Sequence, residues 1–199
     1  MSNKWKASLV GLALLVSDSA LAHAPIEGIG NFYNGLLHPI LIPAHLLLLV
    51  AIGLFIGQQG SEKVEATLAS FALATIIGLT LSWFSIGIQA ESLILILSTA
   101  TGLLIAFNPQ VKRPVAMIVG ALTGFSLGID SAQEMLSGQE KLASLFGSGI
   151  AIYFLALYPM ALSSYFNKKT WQKIGVRIVG SWVAASSLLV LALAFSKRA

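Results

Sequence analysis

Long apolar runs broken by short polar ones set the pattern of this chain. Residues 40–57, 66–84, 92–107, 115–129, 145–165 and 174–195 are runs of Leu, Ile, Val, Ala, Phe and Gly almost free of charge. None alternates with the period of two that marks a half-buried strand, and the longer ones approach the roughly 20 residues a helix needs to cross a bilayer. They predict an all-α, polytopic membrane helix bundle with six transmembrane helices. The breaks fit that plan. Residues 58–65 and 167–173 are polar, Asn108-Pro109 and Lys112-Arg113-Pro114 interrupt the third and fourth runs, and residues 130–144 carry Asp130, Glu134, Glu140 and Lys141.

Ahead of the first run, residues 1–22 have the form of a secretory signal peptide. Lys4 and Lys6 precede a short apolar stretch over residues 7–16, and Ser19-Ala20-Leu21-Ala22 ends in a small-residue cleavage pattern. The apolar stretch is too short to span. The alternative is an uncleaved first anchor; cleavage after Ala22 would make His23 the mature N-terminus and leave residues 23–199 as one transmembrane domain. Residues 23–35, rich in Gly and Asn, read as a loop or re-entrant segment on the exported side. Pro43 is tolerated in the first turn of the helix that follows, where its missing N–H costs nothing.

Composition agrees with the pattern. The chain is 56% hydrophobic and 10% charged, against roughly 25% charged in a soluble domain. With no cysteine, disulfides, thiolate metal sites and cysteine nucleophiles are excluded. The net charge of +4 does not point to nucleic acid, because the basic residues sit in the short loops. Lys63, Lys112, Arg113, Lys168, Lys169 and Lys173 fall on one side of the alternating topology, and Lys141, Lys197 and Arg198 on the other. The bias predicts a bacterial-type inner membrane protein with its mature N-terminus exported. Four-residue spacing of small residues marks close-packing ridges: Ala116, Gly120, Gly124 and Gly128; Ser70, Ala74, Gly78 and Ser82; Ser98, Gly102 and Ala106. Such ridges serve either a tight monomer or a face for a membrane partner or a second copy.

Chemistry is concentrated at the start. All three histidines, His23, His38 and His45, lie within 23 residues, and imidazole suits Ni, Co, Cu and Zn. A seven-residue spacing puts His38 and His45 on one face of a continuous helix, whereas Pro39 and Pro43 argue for His38 closing the lead segment and His45 lying in the first helical turn. Both then sit near the exported surface, either as metal ligands or as groups that fix the start of a Pro-rich helix. Asp130, at the end of the fourth run, falls at the same face. Later helices carry no histidine for a serine hydrolase or a two-helix haem, and no phosphate-binding glycine loop is present. The chemistry is not enzymatic and calls for no tightly bound cofactor.

The run His38-Pro39, then His45-Leu46-Leu47, preceded by His23 and by Gly28, Gly30, Phe32 and Gly35, resembles the HupE/UreJ family of hydrogenase and urease accessory membrane proteins. The resemblance extends over most of the chain, including Arg177-Ile178-Val179-Gly180 and the Gly/Ala/Leu-rich tail. It implies a signal peptide, six mature helices and a nickel or cobalt permease whose cargo is handled by His23, His38, His45 and Asp130. Two stretches depart from the family pattern. Ile42 and Ala44 stand where the family has Gly and Asp. In Thr123-Gly124-Phe125-Ser126-Leu127-Gly128-Ile129-Asp130 both glycines of a His-Gly-x-Ala-His-Gly-x-Glu motif remain, both histidines are absent, and Asp replaces Glu. A protein that handles a divalent metal and a non-transporting membrane scaffold or accessory subunit are both compatible with these residues.

Overall fold

The computed structural model describes residues 26, 28–84, 90–133 and 135–196. The signal segment, the Ala22 cleavage position, His23, Glu134, Lys197 and Arg198 lie outside them. Among the described residues seven helices follow one another: α1 (Asn31–Leu41), α2 (Pro43–Gln58), α3 (Ser61–Trp83), α4 (Glu91–Phe107), α5 (Arg113–Ile129), α6 (Gly138–Tyr165) and α7 (Thr170–Ser196). The described secondary structure is entirely helical, and the apolar runs lie on α2 to α7. Among the described residues three helices, α3, α6 and α7, are long and apolar enough to cross a membrane. The bent pair α1 and α2 makes a fourth if counted as one broken span. At 17 residues each, α4 and α5 extend about 25 Å, short of the roughly 30 Å hydrocarbon thickness.

The lead segment, expected as a loop or re-entrant segment, becomes helical before its end. It turns helical at Asn31, straight after Gly30, whose φ of 78° is a left-handed conformation suited to glycine. α1 even contains Pro39. A proline cannot donate to the carbonyl four residues back, and here that carbonyl, Gly35 O, accepts from Ser148 Oγ of α6 at 3.0 Å instead. The chain then breaks at Ile42, whose φ of −95° and ψ of 109° are extended. The ring of Pro43 disfavours helical geometry in the residue before it, so α1 and α2 meet at 74° rather than continuing as one rod.

α2 is the core of the bundle. Twelve of its 16 residues are buried, and Leu48, Leu49, Ile52, Phe55 and Ile56 are fully enclosed. A helix that is apolar all round belongs inside. It packs chiefly on α6 and α4, while α3 pairs with α5, α4 with α7 and α1 with α6. Between α3 and α5 the two small-residue ridges face each other. A Cβ on Gly124 would collide with the Phe71 carbonyl, and one on Gly78 would come within 2.6 Å of Phe125 O. Gly102 likewise meets the backbone of Gly180 and Ala184 in α7. The ridges are therefore used inside the chain, and an oligomer would need other faces.

Hydrogen bonds between helices define two ends. At one, Gln58 of α2 reaches Ile105 O of α4, Arg177 of α7 reaches Ala106 O, and Ser164 of α6 reaches Gly57 O. At the other, α2 begins, α5 ends and α4 begins around one carboxylate.

Candidate metal centre

That carboxylate is Asp130, the C-cap of α5. Its Oδ2 accepts from His45 Nε2 at 2.9 Å, and its Oδ1 accepts the Ala90 N–H at 2.8 Å. Ala90 is the N-cap of α4, and His45 stands in the first turn of α2. Asp130 therefore places a negative charge at two helix N-termini, where the exposed N–H groups and the helix dipole favour it. Its own backbone oxygen lies 3.4 Å from His38 Nε2. One residue thus contacts both described histidines, His45 through its side-chain carboxylate and His38 through its backbone carbonyl.

The break at Ile42 brings the histidines together. In an unbroken helix, residues seven apart lie about 10 Å apart along the axis. Here the rings of His38, in the last turn of α1, and His45 meet edge to face with centroids 5.4 Å apart and planes at 79°. The sequence places both near the exported surface, and their side chains are buried rather than open to water. His45 is fully buried and His38 is 2% exposed, covered by α1 where it docks on α6. Phe32 O and the Ser144 backbone occupy the spaces beside Gly147 and Gly35, so neither glycine could carry a side chain.

The hydrogen bond decides which nitrogen of His45 is available. A carboxylate only accepts, so Nε2 carries the proton, and in the neutral ring Nδ1 is left as a bare lone pair. Nδ1 is buried and has no hydrogen-bond partner among the described residues. A ring nitrogen held this way, with the opposite N–H donating to a carboxylate, is the usual preparation of a histidine for metal ligation.

Other expected residues are placed differently. His23 lies outside the described residues, but the chain three residues downstream is fixed. The Ile26 N–H donates to Asn34 Oδ1 at 2.7 Å, and Asn34 Nδ2 donates to Ile26 O at 3.0 Å, tying the approach to α1 one turn before His38. Glu91 is exposed in the first turn of α4, a position the helix dipole explains. Lys141, expected in a polar loop, is instead buried in the first turn of α6 and donates to Trp83 O at 3.0 Å. Among the described residues no group of three or more His, Cys, Asp or Glu side chains is arranged to hold a metal ion by itself. The Ala90 N–H escaped the sequence because a backbone donor leaves no residue-type signal. Asn34 could have been found as a polar residue one turn ahead of His38.

Comparison with known proteins bears on this arrangement. The chain is similar to Protein HupE of Rhizobium leguminosarum bv. viciae, 26% identical over 180 residues that cover 90% of this chain and 93% of that protein. No solved structure matches it. A family model described as HupE / UreJ protein matches residues 11–190, nearly the whole length, and the chain belongs to the HupE/UreJ family.

Proposed function

We propose that this protein is an inner-membrane permease of the nickel and cobalt type, with a divalent transition-metal cation as its cargo and His45 as the first group to hold it. The observation that carries this is the buried, unpartnered Nδ1 of His45, fixed in direction by the His45–Asp130 hydrogen bond. On this reading Asp130 orients His45 rather than ligating the metal itself. His38 contributes its ring from the other side of the α1–α2 break, and His23 adds an imidazole and a free amine if Ala22 is the cleavage position. Two or three nitrogens with few oxygens make a borderline donor set suited to Ni, Co, Cu or Zn. A broken helix is also a common device for ion sites in transporters, since it opens helix ends within the protein interior.

A second reading has its own support. Both oxygens of Asp130 are engaged inside the protein, and Leu48, Leu49, Ile52, Phe55 and Ile56 close the interior below His45. A non-transporting accessory subunit that kept the fold would look the same. Uptake of Ni²⁺ into proteoliposomes containing the full mature chain separates the two. A permease gives uptake that His45→Ala and His38→Ala abolish. Equal uptake in the wild type, both variants and protein-free vesicles rejects transport.

A further inference from the structure

A second polar cluster lies at the opposite end of the bundle, where neither histidine nor Asp130 reaches. α2 ends in Gln58 and Gln59, which are 6% and 5% exposed. Gln58 Nε2 donates weakly to Ile105 O at 3.5 Å, in the last turn of α4. Asn108 caps that helix in a left-handed conformation with φ 50°. Four buried side-chain atoms here have no hydrogen-bond partner among the described residues: Gln58 Oε1, both amide atoms of Gln59, and Asn108 Oδ1. Natural interiors rarely leave such groups unpaired, because burial removes their water without return.

Three of the four are carbonyl oxygens, and they sit where the C-termini of two packed helices end. Helix C-termini carry partial negative charge, and amide oxygens are hard donors suited to cations that keep part of their water shell. A cleft of about 390 Å³ lies at the same end of the bundle, lined by Gly57, Gly60, Glu65, Ser164 and Asn167 on the α6 side of α2, whereas Gln58 reaches toward α4. Arg177 donates to Ala106 O at 2.6 Å, one turn away on the same helix end. Its fixed positive charge disfavours long retention of a cation. An ion pathway needs sites that bind well enough to be entered and weakly enough to be left.

We propose that Gln58, Gln59 and Asn108 form a second, oxygen-lined binding station for a partly hydrated divalent cation. It is the low-affinity counterpart of the nitrogen site around His45, at the end of the bundle from which the cation leaves. This rests on the permease reading for its role, but its existence as a site does not. The layer of Leu48, Leu49, Ile52, Phe55 and Ile56 lies between the two ends of α2, so the two stations serve opposite sides of a closed core.

The test uses the full chain and Ni²⁺ alone as probe. In proteoliposomes, Gln58→Leu combined with Gln59→Leu should lower the saturated uptake rate at least tenfold while the half-saturating Ni²⁺ concentration, set at the histidine end, stays unchanged. Asn108→Gly, which keeps the left-handed backbone, should lower the rate less. The second arm is equilibrium dialysis of Gln58→Glu in a His45→Ala background. A carboxylate there should capture one equivalent of Ni²⁺, and Gln59→Leu should weaken that binding. Full uptake in a correctly folded Gln58→Leu, Gln59→Leu protein overturns the proposal, as does the absence of any Ni²⁺ gained by Gln58→Glu. If the wild type transports nothing, the permease reading fails alone and the dialysis arm still decides whether the station exists.

Discussion

At the scale of single residues, Asp130 has more consequences than any other side chain. It fixes the tautomer and direction of His45 and satisfies the Ala90 N–H, so substitutions should separate its two roles. Asp130→Asn removes the charge and leaves one acceptor oxygen for two donors, so either His45 Nε2–H or the Ala90 N–H loses its partner. Loss of a carboxylate partner behind a ligating histidine typically weakens metal affinity 10–100-fold. We expect a change of that size in Ni²⁺ titrations of the purified protein, with a loss of stability of about 1–3 kcal/mol for the one stranded donor. Asp130→Leu strands two buried donors, His45 Nε2–H and Ala90 N–H. At about 1–3 kcal/mol for each unsatisfied group, stability should fall by about 2–6 kcal/mol, visible as a lower thermal midpoint in detergent. An Asp130→Asn protein that binds Ni²⁺ as tightly as the wild type would remove Asp130 from the site altogether.

At the scale of helices, what could be read from the sequence depended on whether a signal was local. The apolar runs mark helices because lipid and core both demand apolar side chains, and the glycine ridges of α3 and α5 mark a contact because only small residues let backbones touch. Pro39 and Pro43 warned against a continuous helix through the histidines. They could not reveal that α1 survives Pro39 by lending Gly35 O to Ser148 Oγ, because that partner lies more than a hundred residues away. Nor could spacing show that the site is buried, since α1 covers it only by docking on α6. Two glycines distinguish packing that holds the fold from packing that holds the site. Gly124→Val would push into the Phe71 carbonyl between α3 and α5, and overpacking of this kind costs about 1–3 kcal/mol. It should lower the thermal midpoint and leave Ni²⁺ affinity unchanged. Gly147→Val would push Phe32 O, and α1 with it, away from α6. It should lower Ni²⁺ affinity to the level of His38→Ala, because the His38 ring is carried on that helix. Equal affinities for Gly147→Val and the wild type would mean that α1 docking does not set the site.

For the whole molecule, the two ends of the bundle differ in charge as well as in chemistry. Inter-helix bonds gather the C-termini of α2, α4 and α6 and the N-terminus of α7 at one end. The connections there carry Lys63, Lys112, Arg113, Lys168, Lys169 and Lys173. The other side of the alternation has three basic residues, Lys197 and Arg198 after α7 and Lys141, whose ammonium is folded inward onto Trp83 O at the His45–Asp130 end. Positive charge holds short loops on the cytoplasmic side, so the histidine end should be exported and the Gln58–Gln59 end cytoplasmic. The absence of cysteine makes this directly testable, because one introduced thiol reports without background. In intact cells, Glu140→Cys, exposed at the start of α6, should react with a membrane-impermeant maleimide. Lys112→Cys and Lys168→Cys, at the opposite end, should react only after the membrane is opened. If all three react in intact cells, the orientation is wrong. If Lys112 and Lys168 report from opposite sides, then one of α5 and α6, the two helices between them, does not carry the chain across as the even alternation requires. The apolar layer around Ile52 and Phe55 adds a further condition: a thiol at Gln58 should be protected from the exported side even when Ni²⁺ is present. Labelling of that thiol from outside would mean that the core of α2 is open to water along its length, and the two ends could not act as separate stations.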